Sequence, residues 1–393
     1  MKLSKGITAL IAACIALGSA AAGLAQSTSV INGTVFADYY YNYKSATASE
    51  QDRNAFQLRR VYFTYENNIN ADLKVRVRFE SESNAYGSTS KINPFVKHAY
   101  LEWSNLIPKH KLYLGIAETN AFKNAEDLWG YRAVEKTIMD LNKISSSADL
   151  GLALKGDLHP NVHHWLTVMN GTGYGAAEGD RYKKVGYALW LTPVKGLIVE
   201  GYADYENQDP TDPQTATVMS AGKDYAGSDS YMTLKGMIGL SRPSFSVGLE
   251  AFQRTNVESG IENVSTQYDS TAKKYKITQK TAADVAKFGY SLFGSWITPI
   301  PRLKVFARYD LFDPNTGDAL FTKFDDAKGK LTSGTDDEFT QMFFGLDYVS
   351  KGAMHIMPNV IIKNYAAEGK DSDITARLTM WFNFNSGKII TES

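Results

Sequence analysis

The chain has almost no cysteine, no net charge and no long apolar run beyond its first residues, and each absence closes off a class of protein. Its only cysteine among 393 residues is Cys14, so an internal disulfide framework is excluded. Lysine plus arginine number 42, as do aspartate plus glutamate; that balance gives no electrostatic case for a nucleic-acid partner. After residue 25 nothing approaches the ~20 consecutive apolar residues of a membrane helix. Aromatic residues are plentiful instead, with 23 Tyr and 19 Phe.

The opening "MKLSKGITALIAACIALGSAAAGLAQS" sets Lys2 and Lys5 before an apolar stretch at 7–18, and small residues "GLA" end at Ala25. This is the pattern of an export signal, and residues 1–25 are assigned to it. "IAAC" has a faint likeness to a lipoprotein acylation site, but the apolar run before Cys14 is too short and continues past it. Cleavage after Ala25 would leave 368 residues without cysteine. An exported chain with no spanning helix is either released or inserted as a barrel.

The remainder, 26–393, alternates. In "DLKVRVRFESE", Leu73, Val75, Val77 and Phe79 fall on one face of an extended chain and Lys74, Arg76, Arg78 and Glu80 on the other. Sixteen such segments can be found, near 31–42, 55–66, 72–82, 94–104, 110–118, 148–157, 161–170 and 182–192, then near 196–206, 230–241, 244–255, 286–297, 302–312, 338–349, 354–365 and 373–384. Each is close to the ~9–11 residues a tilted strand needs to cross the hydrocarbon layer. Connections after odd strands are mostly long, as in "NAYGSTSKIN", 119–147, "GTGYGAAEGDR", 207–229, 256–285 and 313–337. Those after even strands are short turns such as "NNINA", "HPN", "TPVK" and "SKGA", rich in Gly, Pro, Asn and Ser. Long loops on one rim and short turns on the other predict an all-β fold, a 16-stranded antiparallel transmembrane β-barrel with long extracellular loops and short periplasmic turns.

The faces predict which side is wet. Strand sixteen places Ile374, Ala376, Leu378, Met380, Phe382 and Phe384 on one face, against Thr375, Arg377, Thr379 and Asn383. Sixteen strands enclose far more volume than side chains of this size fill. The apolar faces are therefore expected toward lipid and the charged faces toward a water-filled bore. Tyr39, Tyr40, Trp103, Trp190, Trp296 and Trp381 near strand ends suit interfacial girdles, although generic β-propensity accounts for any one of them equally well. Pro358 falls in mid-strand, where a bulge or kink is expected. The doubled Arg59–Arg60 forces one of the pair outward or into a bulge.

"FQLRRVYFTYE", "WGYRAVEKT" with "SSADLGLAL", "MPNVIIK" and the aromatic-ended "MWFNF" together resemble Gram-negative outer-membrane porins, and more narrowly the phosphate-selective porins O and P. The chain departs from that pattern by adding "NSGKIITES" after Phe384 and by lacking a dense run of loop lysines. The resemblance implies a homotrimer in outer-membrane lipid, and a third loop, 119–147, folded into the pore as its constriction. "NAEDLWGYRAVEKTIMDLNK" carries a short helical pattern with Asn124 as N-cap and Glu126 and Asp127 in the first turn. Folded inward, it would bring Arg132, Glu135 and Lys136 near wall charges.

On the wall, Arg60, Arg76, Arg78 and Arg377 form an expected basic patch, with Glu102 and Arg308 also facing the lumen. Lumen-facing positions carry thirteen basic and nine acidic residues on this register, a weak anion preference. Other chemistry finds little footing. "HPNVHH" spans a turn and a strand start without carboxylate or cysteine support for a metal. "GTGYGAAEGD" lacks the ending of a phosphate loop. His98 and Ser291 point inward from distant strands, so no nucleophile–base pair is expected. No cofactor, metal or enzymatic activity is expected. The function expected is passive diffusion of small ions and hydrophilic solutes; the alternatives are a structural or adhesive barrel with a closed pore, and a phosphate-selective channel.

Overall fold

The computed structural model describes residues 27–82, 92–179, 181–207, 230–316, 321–325, 330–333, 338–351 and 354–391. The assigned export signal with Cys14, and most of the second and fifth loops, lie outside the described residues. Strands β1 to β9 are Ser27–Lys44, Asn54–Asn68, Leu73–Glu82, Phe95–Ser104, His110–Glu118, Ala148–His159, Val162–Met169, Lys184–Leu191 and Leu197–Glu206. Strands β10 to β18 are Tyr231–Ser241, Phe245–Asp269, Lys274–Ile297, Leu303–Asp313, Phe321–Asp325, Lys330–Ser333, Phe339–Val349, His355–Tyr365 and Asp373–Thr391. Two short helices, α1 at Lys123–Trp129 and α2 at Ile138–Leu141, interrupt the third loop.

Apart from β13 to β16, consecutive strands pair antiparallel, and β1 pairs with both β2 and β18, which closes the sheet. Strand β13 pairs directly with β16, so β14 and β15 form a hairpin within the seventh loop and sixteen strands make the wall. Closure leaves no open edge, the condition for a sheet to span lipid. Strand β8 shows how the wall is organised. Lys184, Ala188 and Trp190 are buried, while Val185, Tyr187, Leu189 and Leu191 are 38–44% exposed. Apolar side chains left open on the outer face are stable when lipid covers them. A concavity of about 1060 Å³ on that outer wall, lined by Val247, Leu292, Val305, Ala307 and Leu346, belongs to the same apolar surface.

The doubled arginine is resolved by the expected bulge: the β1–β2 register slips between Phe36 and Ala37 and leaves Arg59 as the extra residue, so that both arginines turn inward. Other expectations are corrected. Pro358 causes no bulge. Its pairing with Leu378 keeps register, and the β16 ladder is merely interrupted between Gly345–Asn359 and Tyr348–Ile356. Pro358 faces outward and has no N–H to donate, and the pairs Leu346–Pro358 and Asp347–Met357 drop out of the ladder. Tyr40, Trp190 and Trp381 are not girdle residues; strand parity places them inward, where Trp190 joins the interior core and Trp381 stacks on His355.

The sixth loop is largely strand. β11 and β12 stay paired through Asp269–Lys274, extending the ribbon roughly 40 Å past the wall at the usual rise per residue, and Ile261 on it pairs with Phe321 of β14. The residues after Phe384 extend β18 and pair Lys388, Ile389, Ile390 and Thr391 with Val30, Ser29, Thr28 and Ser27.

Candidate functional site

The third loop turns into the barrel. Asn124 is not the N-cap of α1; Phe122 holds that position without a side-chain cap, and Asn124 Nδ2 donates instead to Glu200 on β9. The helix stops at Gly130, whose φ of 70° is the left-handed geometry of a C-terminal cap. Leu128 packs across Gly239 of β10 and Gly248 of β11, where an added Cβ would stand 2.0 and 2.7 Å from its Cδ2. With glycine at both places the leucine lies directly against the strand backbone.

Two apolar contacts then seat the loop. Trp129, Tyr131 and Val134 pack against Phe293, Phe306 and Phe343 of the wall. Phe122, Ile138, Met139 and Ile144 pack against Trp165, Tyr202 and Phe252. Val134, Ile138, Met139 and Ile144 are fully buried, and each such side chain contributes about 1.5–3 kcal/mol. Exposed ion pairs contribute about 0–1 kcal/mol, so apolar packing holds the loop in place and polar bonds orient it.

Four wall arginines supply those bonds, each donating from Nη1 to a loop carbonyl. Arg59 reaches Ala133 and Val134 at 2.8 and 2.7 Å, Arg254 reaches Ile144 at 2.6 Å, Arg308 reaches Lys136 at 2.5 Å, and Arg377 reaches Val134 at 3.5 Å. The Glu135 carboxylate sits 3.5 Å from Arg59 and 3.7 Å from Arg377. Burial works against its charge, but these two guanidiniums and the Lys136 amide hold its carboxyl below the usual glutamate range. Arg132 turns back into the loop, 2.7 Å from Glu126 and 2.9 Å from Asp140. Burial depresses the Lys136 ammonium, with Asp140 at 3.9 Å opposing that shift.

Space remains on the other side of the loop. A vestibule of about 480 Å³ at the long-loop rim is lined by Glu82, Lys136, Asp140, Lys143, Lys184 and Arg254. Thr119 and Ser147 border both this vestibule and a neck of about 40 Å³ beside β2 to β5, lined by Tyr62, Arg78, His98, Glu118, Lys123 and Arg132. The neck is much the smaller of the two spaces, yet it is large enough to hold water.

The nine residues named from sequence therefore separate. Glu135, Arg308 and Arg377 lie where the loop is pinned to the wall. Arg78 and Arg132 line the neck, and Lys136 lines the vestibule floor. Arg60 is held by Glu80 at 2.7 Å and Glu82 at 2.8 Å, Arg76 by Glu66 at 3.5 Å, and Glu102 by Lys111 at 2.6 Å. Sequence reasoning missed Arg254 as a loop anchor and Lys97 altogether. A register slip between Arg78 and Phe79 against β4 brings Lys97 inward beside His98, where it meets Glu80, Ser147 Oγ and the Tyr174 ring.

Pairing says more than the tally of signs. Lys74, Lys111, Lys184 and Lys235 each lie within 3.1 Å of an acid. Arg78, Lys155, Arg254 and Lys363 make no ion pair among the described residues. They rest on the rings of Tyr62, Trp165, Tyr231 and Phe339 at 5.0, 4.2, 3.4 and 3.6 Å. A ring face stabilises a cation without neutralising it.

No family model matches the chain, and no curated protein matches it in sequence. Solved structures do match. The outer membrane channel DcaP of Acinetobacter baumannii superposes with TM-score 0.59 at 11% identity, covering 91% of this chain and 97% of that one. The anion-selective porin from Comamonas acidovorans gives 0.58 at 12% identity over 91% and 100%. Salmonella typhi OmpF in complex with daunomycin gives 0.57 at 13% identity over 91% and 97%. The fold is that of Gram-negative outer-membrane porin barrels.

Proposed function

We propose that the chain is an outer-membrane porin that passes small ions and hydrophilic solutes by diffusion, with slight anion preference, in a homotrimer. The observation that carries the reading is the polar vestibule at the long-loop rim together with the neck between the third loop and β2 to β5, overlooked by Arg254 and Arg78, which make no ion pair among the described residues. These supply an attractive field for anions without a fixed binding cage. Arg60, Arg76, Arg78, Glu102, Arg132, Glu135, Lys136, Arg308 and Arg377 divide the work, Arg78 facing the solute and Arg308 and Arg377 holding the loop that defines the path. OmpT of Vibrio cholerae, which matches at 9% identity with TM-score 0.52, includes a trimer form, in keeping with the trimer.

The narrowness of the neck favours a second reading, a closed barrel whose β11–β12 ribbon is the working surface. Single-channel current in a planar bilayer separates the two. Large stable steps with a mildly anion-selective reversal potential under a KCl gradient support the porin; silence from folded protein supports the closed barrel. Titrating phosphate against the chloride current then separates general diffusion from phosphate selectivity.

A further inference from the structure

The adjacent histidines of "HPNVHH" point to opposite faces of β7. His163 turns inward, 2.6 Å from Asp157 and 2.9 Å from Thr192, and stacks on Trp190. His164 turns outward, and its partner lies 54 residues away: His110 Nε2 and His164 Nε2 are 2.8 Å apart. Both flank Gly156, the residue of β6 that pairs with each of them. A Cβ at Gly156 would stand 2.4 Å from the His110 ring, so the missing side chain makes the space in which the imidazoles meet. His110 opens β5 and His164 is the third residue of β7, which places the pair at the short-turn rim of an otherwise apolar outer face.

The hydrogen bonds determine which nitrogen is available. Pro108 O can only accept, so its 2.7 Å contact requires that His110 Nδ1 carry the proton. His110 Nε2 is then a lone pair, and the proton between the rings belongs to His164 Nε2. An imidazole whose far N–H is tied to a backbone carbonyl is the arrangement that orients metal-ligating histidine. Two metal–nitrogen bonds of about 2.0–2.1 Å hold their nitrogens about 2.9 Å apart at a right angle and about 3.4 Å apart at the tetrahedral angle. The 2.8 Å between the rings is a hydrogen-bond length with the two nitrogens nearly head-on, so a cation enters by turning the rings until both lone pairs converge on it; imidazole donors suit Cu²⁺, Ni²⁺ and Zn²⁺ alike.

From this we infer that His110 and His164 form a two-histidine site for a divalent transition-metal cation, Cu²⁺ before Ni²⁺ by the usual order of affinities. Binding moves the shared proton to His164 Nδ1, so two neutral imidazoles ligate and no net proton is released. Among the described residues no group of three or more His, Cys, Asp or Glu side chains is placed to hold a metal, so water completes the coordination. The bound cation would bridge β5 and β7 across β6, outside the bore.

The test is titration of the folded, EDTA-treated chain in detergent with CuCl₂, followed by calorimetry and electron paramagnetic resonance. The wild type is expected to take up one equivalent of Cu²⁺ with two equatorial nitrogens. His110→Gln and His164→Gln are each expected to lose that equivalent, and His159→Gln to keep it. Heat-modifiable migration shows that each variant is folded. A Gly156→Ala variant, which crowds the rings without removing a ligand, is expected to bind several-fold more weakly. A wild type that binds no copper, or His110→Gln and His164→Gln variants that bind as well as wild type, would overturn the site.

Discussion

On the β1–β2–β18 side of the bore, Arg59 and Arg377 commit their donors to the main chain at 133–134 and their charge to Glu135. On the β3 side, Arg78 donates to Thr64 Oγ1 at 2.8 Å and lies over Tyr62, with no ion pair among the described residues. The same side chain thus does two jobs. Where a loop carbonyl and a carboxylate are in reach, arginine becomes a fixed strut; where an aromatic face is its neighbour, it stays available to solutes. Residue type does not separate the two, but the partner does.

The strongest way to break this contrast is to unseat the loop. Val134→Asp combined with Ile138→Asp removes two buried apolar contacts and adds unpaired charges, which cost several kcal/mol each when buried. The third loop should leave the wall, and single-channel conductance should rise several-fold. Wild-type conductance in that variant would mean that the loop is not what narrows the bore.

A smaller change comes from removing the struts alone. Arg59→Ala with Arg377→Ala removes both ion-pair partners of Glu135 and leaves only the more distant Arg308, a loss of up to about 3–5 kcal/mol by analogy with broken buried pairs, while the apolar seats stay. Brief excursions to a larger conductance are expected in current traces. A trace as quiet as wild type would place the orientation of the loop in its apolar seats alone.

The open side is sharpened by comparing Arg78→Glu with Arg76→Glu. Arg76 already faces Glu66, so reversing Arg78 should move the reversal potential further toward cations than reversing Arg76. Equal shifts, or none, would remove Arg78 from the solute path.

The smallest effect is with pH. Because the Glu135 carboxyl is held below its usual range, its contribution is complete above the unfolded value of about 4.3 and is lost as pH falls through the lower folded value. Excursions like those of the strut variant should grow in wild type below about pH 4, whereas a Glu135→Gln control, already uncharged, should show them at every pH without that growth.

Much of the wall was legible in the sequence, since lipid on one side and water on the other force a period of two, as in β3 and β13. Legibility failed where that force stops. β11 and β12 run on through "NVESGIENVSTQYD", where strands beyond the membrane have no lipid face to enforce alternation. Trp190, Trp381 and Tyr40 read as girdle residues because a sequence does not show that a loop will supply apolar cover inside the bore. Of the candidate site, the cluster of charges in 132–136 was visible. The bonds from Arg59 and Arg254 were not, since they join residues 74 and 110 positions apart. Nor was His110 visible as the partner of His164.

Because Cys14 is the only cysteine, introduced thiols can report directly on which side of the third loop carries current. The decisive measurement is block of single-channel current by a charged methanethiosulfonate reagent in Arg78→Cys and in Met357→Cys, on opposite sides of the loop. The account predicts rapid, lasting block of Arg78→Cys and none of Met357→Cys, whose position is fully buried where the loop is seated. Block of Met357→Cys with Arg78→Cys untouched would contradict it and put the passage on the other side.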